Sequence, residues 1–172
     1  MQQLRSRFDH HPLVLAAAVA AASVTACGTA SVSPAITGTA AAASQTMIGA
    51  MQTSIGTVLT GPSGHTLYIL VDSHGKAVAC SGSCLAVWPP VTMDSGSPRA
   101  GSGVTASLST VAPAGATPQL TVSGHPVHYY VGDTSPGQAN GEGISSYGGI
   151  WYALQPSGRL FVPGMGGNPY GY

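Results

Sequence analysis

Apolar and polar positions alternate in short runs along the chain, and one such run occurs twice. Ser63-Gly64-His65-Thr66-Leu67-Tyr68-Ile69-Leu70-Val71-Asp72 is echoed sixty positions later by Ser123-Gly124-His125-Pro126-Val127-His128-Tyr129-Tyr130-Val131-Gly132-Asp133. In both copies a Ser-Gly turn delivers a His and then β-branched and aromatic residues without helical spacing, which predicts a strand leaving a tight turn. Leu67, Ile69 and Val71 fall on one face of the first strand, with Tyr68, Leu70 and Asp72 on the other. In the second copy Val127, Tyr129 and Val131 match the first set, and His128 and Tyr130 match the second. Both faces are largely apolar or aromatic, so these are expected to be central strands covered on both sides. A segment repeated at a fixed offset is one supersecondary unit used twice, and the two units pack together because neither buries its apolar face alone.

The remaining pattern predicts more strands. Gln52 to Thr60 alternates loosely and runs into the turn Gly61-Pro62-Ser63-Gly64, so it should form a hairpin with the first copy. Val104 to Val111 and Pro118 to Val122 read as strands, and Gly148-Gly149 opens a last one, Ile150 to Gln155. Residues 91–107 are expected to be mostly loop, and Thr134 to Gly143 a long Gly-rich loop. Leu85 to Trp88 suits one helical turn stopped by Pro89, with Trp88 as a core plug whose indole N–H should find an acceptor. The fold class is therefore all-β: a single small antiparallel domain over residues 50–163, built from two related repeats, with one short helical turn near Trp88.

Composition narrows the function classes. The chain has five Lys or Arg, five Asp or Glu, 24 Gly and 13 Pro. No basic stripe faces a phosphate backbone, so nucleic acid is not an expected partner. Arg5 and Arg7 precede the uncharged run Pro12 to Ala26, which has the length of a signal-peptide core and is too short to span a bilayer comfortably. Residues 1–26 are therefore read as a lipoprotein signal peptide. The run ends at Val24-Thr25-Ala26-Cys27-Gly28, which resembles a bacterial lipobox and implies lipidation of Cys27 and anchoring to the outer face of the cell membrane. The alternative is ordinary signal cleavage beside an incidental Cys. Residues 27–49, rich in Ala, Ser, Thr and Gly, read as a disordered tether spanning roughly 25 Å. Residues 164–172 read as a flexible Gly/Tyr tail.

Lipid on Cys27 leaves Cys80 and Cys84 in an exported, oxidising setting, where they can pair. Three intervening residues including Gly82 allow the approach. The closed loop is small and contributes only about 2 kcal/mol, so its expected role is to fix a local shape. A redox pair is the competing reading, disfavoured by the spacing and by the lack of a βαβ context.

Several motifs then occur in order: Gly64-His65-Thr66-Leu67-Tyr68, Cys80-Ser81-Gly82-Ser83-Cys84, Trp88-Pro89-Pro90, Gly124-His125-Pro126, Gly132-Asp133-Thr134-Ser135-Pro136-Gly137 and Gly148-Gly149-Ile150-Trp151-Tyr152. This order resembles the secreted-repeat bacterial lipoproteins of unknown function, with their repeated Tyr-x-aromatic-x-x-Asp motif. The resemblance covers about residues 64–158. It implies motif roles for Tyr68, Asp72, Trp88, Tyr130, Asp133, Trp151 and Tyr152 but supplies no reaction. Two departures stand out: Leu70 replaces the aromatic and Asp72 arrives one residue early, and His128 stands where the family places Tyr.

The candidate chemistry is sparse. His125, His128 and Asp133 would suit Cu or Zn as a metal site, whereas the competing reading has the turn His residues bonded to backbone and His128 packed among aromatics. There is no Gly-x-Ser-x-Gly elbow, and Asp72, Asp94, Asp133 and Glu142 form no pair with acid/base spacing. The chain is expected not to be an enzyme and to need no cofactor unless Cu or Zn binds. Two functional classes remain open. One is a non-catalytic surface module that binds an envelope protein or polymer through Trp151-Tyr152 and the Gly-rich 134–149 segment. The other is a metal-handling or redox accessory lipoprotein.

Overall fold

A computed structural model describes residues 46–94, 96–112 and 116–164. The signal peptide, Cys27, all of the 27–49 segment up to residue 45, and the tail beyond Gly164 lie outside the described residues. Among the described residues nine short strands and one helical turn follow in order: β1 Thr46–Gln52, β2 Thr57–Thr60, β3 Tyr68–Val71, α1 Cys84–Val87, β4 Pro98–Ala100, β5 Leu108–Val111, β6 Gln119–Val122, β7 His125–Pro126, β8 Ser145–Ser146 and β9 Gly149–Ala153. They form three sheets of three strands, ordered β2-β1-β4, β3-β9-β8 and β5-β6-β7. The described residues thus form mostly strands, with almost no helix. All pairings are antiparallel except β1 with β4, which runs parallel from Thr46 opposite Pro98.

Both copies of the repeated phrase leave a hairpin. Leu67 N–H donates to Leu59 O at 3.0 Å, and Val127 N–H to Leu120 O at 3.1 Å. In the second copy the turn is Ser123-Gly124, at φ 51° and 84°, the left-handed pair that lets a two-residue loop follow strand twist. The two copies then meet at equivalent residues: Tyr68 and His128 exchange both backbone hydrogen bonds, each 2.9 Å. An antiparallel exchange between equivalent residues of the two copies places a local pseudo-two-fold axis at this pair.

The period-2 reading of the first copy holds. Leu67, Ile69 and Val71 enter an aliphatic cluster with Ile48, Leu59, Leu120 and Leu160. Tyr68 and Leu70 face the opposite way into an aromatic cluster with Trp88 and Trp151. All four β3 residues are buried, each large apolar side chain contributing roughly 1.5–3 kcal/mol. In the second copy Val127 and Tyr129 join the aliphatic cluster, but Val131 is 54% exposed and the pattern ends there.

Several boundaries differ from expectation. The segment 52–60 is not one strand, because Thr53 closes a tight turn: its N–H donates to Gly56 O at 2.9 Å and its Oγ1 to the same carbonyl at 2.8 Å. β1 begins at Thr46, inside the segment read as tether, because Ile48 is fully buried. The 91–107 stretch contains β4, and Val91 and Met93 line β6 through Leu120 N–H to Val91 O at 2.7 Å and Met93 N–H to Pro118 O at 2.8 Å. β5 starts at Leu108, since Thr105 and Ala106 turn their N–H groups to Pro156 O instead. β9 stops at Ala153, where Gln155 enters a turn closed by Gly158. The helical turn lies where expected, with Trp88 N–H closing it on Cys84 O at 2.8 Å. Cys80 and Cys84 are bonded, with Cα atoms 5.5 Å apart.

Candidate functional site

The pseudo-two-fold axis passes through a buried stack of rings. Trp88, behind α1, and Trp151, on β9, lie face to face with centroids 3.9 Å apart and planes within 6°. Tyr68 meets Trp88 edge-on at 5.5 Å and 76°, and His128 meets Trp151 in the same way at 5.5 Å and 77°. Each repeat thus presses its motif ring against its own indole, and the indoles stack across the interface. Tyr130 covers the other face of Trp88 at 4.4 Å. Gly141 is required beside this stack, since a Cβ there would sit 2.8 Å from Tyr68 Cζ and 2.9 Å from Trp88 Cη2. The expected acceptor for the Trp88 indole is not found: Nε1 of both tryptophans is buried without a hydrogen-bond partner. Rings cover their faces, and packing rather than a polar handle holds them.

The polar motif groups are engaged internally. Tyr68 donates its hydroxyl proton to Asp133 Oδ2 at 2.7 Å, Asn140 N–H donates to Oδ1 at 2.8 Å, and Gly141 N–H donates to the Tyr68 hydroxyl at 3.2 Å. The tyrosine of one repeat is therefore bonded to the aspartate of the other. Burial, reinforced by Asp133, holds the Tyr68 phenol well above its ordinary range. Burial also raises the Asp133 carboxyl, against the pull of its two donors. On the other side of the axis no such pair exists. His128, 6% exposed, places Nδ1 2.9 Å from Trp88 O and Nε2 3.3 Å from Gln119 Nε2. A carbonyl only accepts, so Nδ1 carries the proton and Nε2 accepts from the Gln119 amide. Burial lowers the His128 pKa, consistent with this neutral form. Asp72 turns outward and accepts the N–H groups of His74 and Lys76, both at 2.9 Å, and the Lys76 amide leads in lowering its pKa.

These contacts correct two expectations. The set His125, His128 and Asp133 is not assembled for a metal. His125 lies on β7, its backbone in register with Val122 of β6, while both His128 nitrogens and both Asp133 oxygens already have partners. Among the described residues no group of three or more His, Cys, Asp or Glu could hold a metal ion. Nor do Trp151 and Tyr152 form an exposed aromatic loop: they lie on β9, Trp151 fully buried and Tyr152 packed against the aliphatic cluster.

Two grooves open near the motif residues. One, of about 360 Å³, runs between Asp72-Ser73 and the β8–β9 hairpin at Ser145, Ser146, Gly148, Gly149 and Ile150. The other, of about 380 Å³, lies at the repeat interface between Ile69, Ala77–Cys80 and Gln119, with His128 in its wall.

A family model described as a secreted repeat of unknown function matches twice, over residues 49–92 and 109–155, together just over half of the chain. The chain belongs to this secreted-repeat family. The two matches coincide with the two halves joined at Tyr68 and His128. The description supports export, and no helix among the described residues is long and apolar enough to cross a membrane. No curated protein and no solved structure matches the chain.

Sequence reasoning counted Glu142 among the scattered carboxylates and gave it no role. Its Oε2 accepts the Ala153 N–H at 2.7 Å, at the position paired with Tyr68, while Oε1 is buried without a partner. Burial pushes its pKa up to about 7 from 4.5. Between those values the folded chain keeps a proton that the unfolded chain has lost, so stability contributed by this site falls as pH rises from about 4.5 to about 7. Glu142→Gln should remove that decline and stabilise the protein at pH 8 by on the order of 1–2 kcal/mol, a figure reduced for its partial exposure. Melting temperatures of both proteins across this pH range check it, and parallel profiles would refute it.

Proposed function

We propose that the protein is an exported, lipid-anchored module that binds an envelope component without transforming it. The carrying observation is the groove between Asp72-Ser73 and Ser145–Ile150. Hydroxyls and a carboxylate line it, and its β8–β9 wall turns through Tyr147 and Gly148 at φ 51° and 85°. That turn leaves Tyr147 41% and Ile150 36% exposed. A hydroxyl-lined groove with an exposed ring on the adjoining turn suits a polymer that carries hydroxyl or amide groups. Binding is favoured over turnover because Tyr68, Asp133 and His128 are engaged internally, and Asp72 already holds two backbone amides. Anchoring rests on the uncharged run that ends at Cys27.

Cys27→Ser should move the protein from the membrane fraction to the medium, and the wild type should carry the added mass of its acyl chains. Unchanged retention or mass would defeat the anchor. The released protein should co-sediment with isolated cell envelopes, and Tyr147→Ala should reduce the retained fraction about fivefold. Retention indifferent to Tyr147→Ala would defeat the groove assignment.

A further inference from the structure

The ring stack places a proton acceptor against one of its rings and none against the two largest. The indole N–H groups of Trp88 and Trp151 are buried without a partner. The Tyr68 hydroxyl instead donates to Asp133 Oδ2 at 2.7 Å. Asn140 N–H donates to Asp133 Oδ1 and Gly141 N–H to the phenol oxygen, so both carboxyl oxygens accept and Asp133 is held as the anion. Packing alone does not call for this difference, but the loss of an electron does. An indole or phenol that gives up an electron becomes a strong acid, and the ring whose proton has somewhere to go is where the oxidation comes to rest. In this stack that ring is Tyr68.

The rings are also close enough to pass an electron. Trp88 and Trp151 stack at 3.9 Å with planes within 6°, so the two indoles can share a positive charge. Tyr130, half-buried where the other rings are buried, lies on Trp88 at 4.4 Å and carries the stack toward solvent. Tyr68 meets Trp88 at 5.5 Å. We infer that the stack is a one-electron relay that takes up single oxidising equivalents from a one-electron oxidant at the surface and stores them on Tyr68. The oxidant gains one electron across Tyr130 and leaves Trp88 as a radical cation, which keeps its N–H proton because no base reaches it. That cation takes an electron from Tyr68 while the phenol O–H bond breaks and its proton passes to Asp133 Oδ2. The products are a reduced oxidant, an intact indole, a neutral phenoxyl and a neutral Asp133 carboxylic acid. Gly141 N–H and Asn140 N–H already point at the two acceptors, so no group has to be rearranged as the proton moves. A small one-electron reductant resets the site, with Asp133 returning the proton. The second repeat has no such pair, since His128 stands in place of the phenol and its Nδ1 proton is held by Trp88 O. The relay is independent of the Ser145–Ile150 groove.

The test uses the full-length protein in detergent with tris(bipyridine)ruthenium, oxidised by a laser flash in the presence of a sacrificial acceptor. Transient absorption should show an indole cation radical that decays as a phenoxyl rises, and the conversion should slow in D2O because a proton moves with the electron. Tyr68→Phe keeps the ring, so it should abolish the phenoxyl rise and leave the indole radical long-lived, with circular dichroism confirming the fold. Tyr129→Phe removes a phenol from the aliphatic side and should leave the conversion unchanged. No indole-to-phenoxyl conversion in the wild type would overturn the relay, and so would a conversion that survives Tyr68→Phe. Equal rates in H2O and D2O, a measurement that needs no variant, would remove the role given to Asp133 and overturn it as well.

Discussion

Trp151→Ala is expected to lower the unfolding free energy by about 3–5 kcal/mol, the range for deleting a large buried aromatic side chain. Three observations place it there. Trp151 is fully buried, one face is covered by Trp88 at 3.9 Å, and its ring receives the edge of His128. Collapse cannot close the gap cheaply, because β9 is fixed on both sides, by β3 and by β8. Domains of this size carry only about 5–15 kcal/mol in total, so the variant should lose a large fraction of its stability and melt at a much lower temperature. Trp88→Ala should cost a similar amount. The double variant should lose less than the sum, because both single changes destroy the same stack. Denaturant titration followed by circular dichroism measures this, and the near-ultraviolet signal of the stacked indoles should vanish in each single variant. A loss of about 0.5 kcal/mol or less for Trp151→Ala, the size seen for surface changes, would show that the stack is not the keystone.

This stack also shows how far the sequence could be read. The opposed faces of β3 were legible because alternate residues pointed to two different clusters and both sets were apolar. Trp88 as a core plug was legible because Pro89 forces the chain to end its helical turn there. Trp151 was misread as a surface aromatic. A Gly-Gly turn followed by Trp-Tyr looks the same whether the strand lies at an edge or, like β9, between β3 and β8. β4 was missed because Pro98, Arg99 and Ala100 carry no alternation; its strand character comes from β1, some fifty residues away. The metal reading failed for a related reason. Spacing within one repeat suggested that His128 and Asp133 could converge, but each is turned to a partner in the other half, Trp88 for His128 and Tyr68 for Asp133. Pairing across repeats leaves no local signature in either copy.

The cross-repeat bond between Tyr68 and Asp133 should therefore behave as a clasp between the halves. Tyr68→Phe keeps the ring and its contact with Trp88 but leaves Asp133 Oδ2 and the Gly141 N–H without their partner inside a buried site. Asp133 is 4% exposed, so water cannot readily replace the lost donor. The expected cost is about 1.5–3 kcal/mol, the range for a hydrogen bond to a charged group. Asp133→Ala should cost at least as much, because it also strands the Asn140 N–H. The decisive quantity is the coupling in the double-mutant cycle, expected at about 1–3 kcal/mol, since each change alone removes the same bond. Acidity gives a second readout. The Tyr68 bond lowers the Asp133 pKa while burial raises it, so Tyr68→Phe should raise it further. In the variant Asp133 should therefore take up its proton at higher pH, as read from its side-chain carboxyl resonance. Additive losses in the cycle and an unmoved Asp133 titration would together mean that the two residues are neighbours only, and that the repeats are held by their rings alone.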